Sequence, residues 1–206
     1  MIVIVNYGMG NLGSILNMLK KTGFTDVLIS KDEKTIQEAD KIILPGVGAF
    51  DHAMLNLKQS GLIPVLNKKV MHDKTPVLGI CLGMQILGKR SEEGNEEGLG
   101  WLDADVVKFR FDDPQKKIPH MGWNLVKDVK SNILFKNMPH QEMRFYFVHS
   151  YYFKPNNNVM ITGETNYGIS FTSAINQDHI YGVQFHPEKS HKFGMQLLKN
   201  FAEINA

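Results

Sequence analysis

The sequence predicts one α/β domain over residues 1–206, a central, mostly parallel sheet with helices on both faces and antiparallel strands added in its second half. Three observations carry this. Four short apolar runs recur in the first half, stretches of helical spacing lie between them, and beyond Leu102 the segments become short, aromatic-rich and closely spaced. Strands alternating with helices imply βαβ units, and a parallel sheet needs both faces covered.

The runs Ile2–Val5, Val27–Ile29, Lys41–Leu44 and Val77–Ile80 are β-branched-rich and bounded by Gly, Pro or polar residues, which marks buried strands. Leu12, Ile15, Leu16 and Leu19 follow helical periodicity, with Gly23 as the stop. KDEKTIQEAD and AMLNLKQSG are shorter helix candidates. DADVVKFRF, GWNLVKDV, MRFYFVHSYYF, VMITGET, GISFTSAI and HIYGVQF follow as strands or hairpins joined to the first sheet, with KPNNN as a turn. A final helix passes through Phe193, Leu197 and Phe201.

Composition narrows the function. Hydrophobic residues at 43% and charged residues at 21% are globular proportions, which argues against disorder. With 23 basic against 21 acidic residues, no concentrated positive field is available to grip nucleic acid or a membrane surface. No apolar run is long enough to span a bilayer, and MIVIV is too short for a signal sequence. One cysteine forbids an internal disulfide and fits a cytoplasmic protein. Eight dispersed histidines give no metal-ligand spacing, so no metal is expected.

GMGNLG, Gly8 to Gly13, has the G-x-G-x-x-G spacing of a dinucleotide-binding turn, with Asp32 roughly where a ribose-binding carboxylate would stand. Tight βα turns favour glycine whatever the ligand. A stronger signal is Gly79-Ile80-Cys81-Leu82-Gly83, a G-x-C-x-G between a buried strand and a helix. This is the nucleophile elbow with cysteine in place of serine. Side chains two residues either side of the nucleophile would collide with the neighbouring strand and helix, hence the glycines. A helix N-terminus behind the thiol favours thiolate.

A cysteine nucleophile needs a base held in one tautomer. GVQFHPEKS offers His186 at a strand end and Glu188 across a proline, able to orient the ring. LPGVGAF places Gly46 and Gly48 in a βα loop beside the elbow, where backbone N–H groups can approach an oxyanion. Cys–His–Glu acyl-transfer chemistry is the resulting reading, and it displaces the dinucleotide site.

Taken together, PGVGAF, GICLGMQ, SEEG, HMGWN, YFVHSYYF and YGVQFHPEKS resemble the class I glutamine amidotransferases over nearly the whole chain. More narrowly, they are similar to the glutaminase subunits of imidazole glycerol phosphate synthases. The resemblance implies a flavodoxin-like fold, no cofactor, and hydrolysis of glutamine to glutamate and ammonia. It makes Cys81 the nucleophile, His186 the proton shuttle and Glu188 its orienting group, with the N–H groups of Gly48 and Leu82 as oxyanion donors. Gln85 and Glu93 would hold the amino-acid end of glutamine, and His149, Ser150 and Tyr151 would wall the pocket. It also implies a (β/α)8-barrel synthase that receives the ammonia, facing Asn11, Trp123 and Lys189. Two alternatives stay open: a paralogous subunit feeding ammonia to a sugar-amidating synthase, and a stand-alone cysteine hydrolase.

Overall fold

In the computed structural model, which describes residues 1–139 and 141–204, all four early runs are strands. These are β1 (Ile2–Val5), β2 (Val27–Ser30), β3 (Lys41–Gly46) and β4 (Val77–Cys81). Between them lie α1 (Leu12–Lys21), α2 (Glu33–Gln37), α3 (Phe50–Ser60) and α4 (Ile63–Asn67), which runs on as a π-helical turn through His72. A single helical turn, α5 (Leu82–Gln85), follows β4. Alternation along β1 shows both faces covered. Val3 and Val5 enter a core with Ile36, Leu57 and Leu66, whereas Ile2 and Ile4 enter another with Ile15, Leu19 and Phe201.

The second half contains β5 (Arg90–Ser91), β6 (Ala104–Lys108), β7 (His120–Leu125), β8 (Lys127–Asp128), β9 (Arg144–His149) and β10 (Tyr151–Pro155). Then come β11 (Ile161–Tyr167), β12 (Ile169–Gln177), β13 (Ile180–Val183) and α6 (His191–Ala202). The main sheet has the order β2-β1-β3-β4-β13-β12-β11-β8. Its first five strands are parallel and the last three join antiparallel.

The later segments do not all extend that sheet, as the sequence had suggested. β10, β6 and β5 form a three-stranded sheet, and β7 pairs with β9 as a separate ribbon. MRFYFVHSYYF, one apolar run in sequence, breaks at Ser150 and sends β9 and β10 to different sheets. That break places the His149–Tyr151 corner over the carboxyl end of β4, where open α/β sheets bind ligands.

Candidate active site

Cys81 stands where β4 meets α5, with φ 55° and ψ −112°. A non-glycine residue there carries strain of about 1–3 kcal/mol. Both glycines of the motif are sterically required. A Cβ on Gly83 would lie 1.8 Å from the Leu44 carbonyl oxygen of β3, and one on Gly79 would lie 2.6 Å from the Gly83 carbonyl oxygen. The helix behind the thiol is shorter than the sequence suggested, a single turn. First-turn N–H groups lack intrahelical acceptors, so Leu82 remains suited to donate.

His186 reaches this point from β13, the strand parallel to β4. Its backbone N–H donates to the Tyr146 carbonyl at 2.9 Å, tying it to β9. Its Nδ1 meets Glu188 Oε1 at 2.8 Å, and both side chains are almost wholly buried. Nε2 is also buried and makes no close hydrogen bond among the described residues. Burial works against charge on this ring, but the Cys81 sulfur and the Glu188 carboxylate outweigh it. Together they push His186 up to about 10, so the ring holds a proton to give at neutral pH.

A cavity of about 450 Å³ opens over the thiol. It is lined by Cys81, Leu82, Gly48, Gln85, Glu93, His149, Ser150, Tyr151, His186 and Lys189, with Val47, Pro119 and Val148. Ten of the thirteen residues named from sequence therefore share one cavity, with Glu188 directly behind His186. Gln85 is buried rather than on a surface helix; its amide donates to the Tyr151 carbonyl at 2.9 Å and to Gln184 Oε1 at 3.1 Å. Glu93 Oε2 accepts the first N–H of α3, from Phe50, at 2.9 Å. Asp51 accepts the N–H groups of Asn95 and Glu96 in return, which pins the acidic loop to the pocket rim.

Asn11 and Trp123 lie outside the cavity. Asn11 is exposed at the start of α1, and Trp123 is exposed and stacked on His191, with ring centroids 5.3 Å apart. Gln184 was missed in the sequence. It is fully buried, and its amide nitrogen lies 3.7 Å from Cys81 Sγ. Its place two residues before His186 in GVQFHPE was the available signal.

The glycine fingerprint also has a structural use. A Cβ on Gly10, whose φ is +91°, would stand 2.8 Å from Pro45 Cβ near the end of β3, and the Tyr7 hydroxyl donates to the Pro45 carbonyl. GMGNLG is thus packed against the end of β3, just before the loop that carries Gly48. The Asp32 carboxylate caps α2 by accepting from Thr35 N–H at 2.9 Å.

Comparison with known proteins finds similarity over nearly the whole chain. A family model described as glutamine amidotransferase class-I matches residues 3–204. An imidazole glycerol phosphate synthase subunit HisH 2 from Methanococcus maripaludis is 56% identical over 203 residues, covering 98% of each chain. A relative of the same name from Pseudomonas aeruginosa is 52% identical over 205 residues, covering 99% of this chain and all of the relative. Among solved structures, a putative GMP synthase component from Thermoplasma acidophilum superposes with a TM-score of 0.71 at 22% identity, over 97% of this chain and 90% of its own. That last likeness bears on the fold alone.

Proposed function

The chain belongs to the class I glutamine amidotransferases, and from that premise we propose that it is the glutaminase subunit of an imidazole glycerol phosphate synthase, working in the cytoplasm on histidine biosynthesis. The observation that carries the chemistry is the Cys81 elbow facing a buried His186–Glu188 pair in one cavity.

Glutamine enters with its amino-acid end toward Gln85 and Glu93 and its carboxamide over Cys81. The sulfur attacks the carboxamide carbon, and the oxygen takes up charge in reach of the Leu82 and Gly48 N–H groups. His186 gives its proton to the departing nitrogen, and ammonia leaves. Water, deprotonated by the same ring, then hydrolyses the γ-glutamyl thioester to glutamate. Glu188 keeps Nδ1 protonated, so Nε2 is the atom that exchanges the proton. Glu188→Gln is expected to slow turnover by about 10–100-fold and His186→Ala by about 1,000-fold or more, because packing partly replaces an orienting group but not a proton carrier. Steady-state assays on both variants check the order.

Ammonia released to water becomes ammonium and loses its nucleophilicity, which calls for a synthase docked over the cavity, a (β/α)8 barrel in this reading. The face that receives it carries Asn11, Trp123 and Lys189. The chain alone is then expected to hydrolyse glutamine poorly and to gain roughly tenfold or more when a ligand-loaded imidazole glycerol phosphate synthase barrel is added. Full activity without a partner would instead indicate a stand-alone hydrolase. Stimulation only by a sugar-amidating synthase would redirect the ammonia.

A further inference from the structure

β7 has two unlike faces. Met121, Trp123 and Leu125 point outward and are 61%, 47% and 44% exposed, an apolar ridge on the strand that pairs with β9. His120 and Asn124 point inward. His120 sits directly opposite His149 in the β7–β9 ribbon, and both rings are buried.

The hydrogen bonds of this inner face admit one proton arrangement. Asn124 Oδ1 accepts from Leu125 N–H at 2.8 Å, so its Nδ2 is the atom that meets the Asn166 carbonyl at 3.0 Å and His120 Nε2 at 3.2 Å. His120 Nε2 must therefore accept, leaving the proton on Nδ1. That nitrogen lies 3.0 Å from His149 Nε2, which accepts in turn. His149 Nδ1–H then donates at 2.8 Å to the Tyr151 carbonyl, a group that can only accept. Both ends force the same direction. Burial holds both rings in the neutral form that this arrangement needs, with His120 pushed down to about 4 and His149 to about 3.

The line continues past the carbonyl. Gln85 donates to the same Tyr151 oxygen and to Gln184 Oε1, and Gln184 reaches the nucleophile sulfur. We propose that His120 is a positioning residue that carries the placement of the docking strand β7, through the hydrogen bond it donates to His149, to the Tyr151–Gln85 side of the glutamine pocket. The coupling rests on the reading that a synthase docks on this face. A buried chain of donors with no alternative pairing shifts as a unit, because an unpaired member is costly.

Two substitutions at His120 separate this role from packing. His120 stacks on Phe147 and Tyr167, with centroids 4.8 and 4.1 Å away. His120→Phe keeps the stacked ring and removes the donor. His120→Asn loses the ring but places an amide nitrogen where Nδ1 stood. The readout is the ratio of glutamine hydrolysis with and without the ligand-loaded synthase barrel, measured on each folded full-length chain, with the affinity for that barrel measured separately. The ratio is expected to fall about fivefold or more in His120→Phe and to be largely restored in His120→Asn. A ratio in His120→Phe equal to wild type, or above that of His120→Asn, assigns His120 to packing and overturns the proposal. A wild-type chain that no synthase barrel stimulates overturns the docking reading instead, and the coupling with it.

Discussion

Cys81→Ala is expected to remove glutamine hydrolysis, by about 10,000-fold or more, while leaving a folded chain that still binds glutamine. The size follows from what is lost. Without the sulfur no thioester forms, and the remaining groups stabilise a transition state that water reaches only slowly. The fold should survive because the side chain is small and its polar contact is one long bond from Gln184, so the stability change is about 1 kcal/mol. A companion variant tests whether the elbow stores strain. Both cysteine and alanine must occupy φ 55° there, but glycine reaches that region freely. Cys81→Gly should therefore unfold at a higher temperature than Cys81→Ala, with neither active. Substantial turnover in the alanine variant, checked by glutamate release, would remove Cys81 from the chemistry. Equal melting of the two variants would mean that the bend is relaxed and that the thiol is held up by packing alone.

What could be read from the sequence was what the chain decides locally. β1 to β4 are apolar runs whose surroundings match their propensity, and G-x-C-x-G needs only its own two glycines and the strand beside it. His186 and Glu188 lie two residues apart, so their pairing is also local. The rest depended on which surfaces meet. LIPVLNKKV helps form a helix because Pro64 falls in the first turn of α4, where its missing N–H has no partner to lose; read in isolation, it is a breaker. The turn at Ser150 that splits one aromatic run between two sheets has no composition signal, because both halves suit a strand. Gln184 and His120 gain their roles only when β13 meets β4 and β7 meets β9. Trp123, expected to face the partner, would also have suited a core, and the pairing of β7 with β9 turns it outward. The expected addition of later strands to the first sheet held for β8, β11, β12 and β13 but not for β5, β6, β7, β9 and β10, for the same reason: alternating residues predict a strand but not its neighbour.

Gly83→Ala tests the elbow from its supporting side, and its effect should fall on the fold as much as on catalysis. The added Cβ would lie 1.8 Å from the Leu44 carbonyl oxygen and 2.8 Å from its carbon. These are backbone atoms of β3, which is paired to β4 by the register Leu44↔Gly79 and Pro45↔Ile80 and buried on both faces. No flexible side chain is there to swing aside. Either β3 and β4 separate, which breaks the centre of the parallel sheet, or the first turn of α5 lifts and carries Cys81 and the Leu82 N–H away from His186. Either route costs several kcal/mol, on the scale of severe core overpacking, against a typical total of about 5–15 kcal/mol. The variant is expected to be largely unfolded at 37 °C or, where it folds, to lose at least about 100-fold in glutamine hydrolysis, because displacing a reacting group by about 1 Å is enough for such a loss. Gly100→Ala is the control: an added Cβ at that glycine meets nothing within 4 Å, so only its φ of +66° bears on stability and the elbow is untouched. Thermal melts and steady-state assays on both variants check the contrast. A Gly83→Ala chain with wild-type melting and turnover would mean that β3 does not press against the elbow, and the steric account of the motif would be wrong.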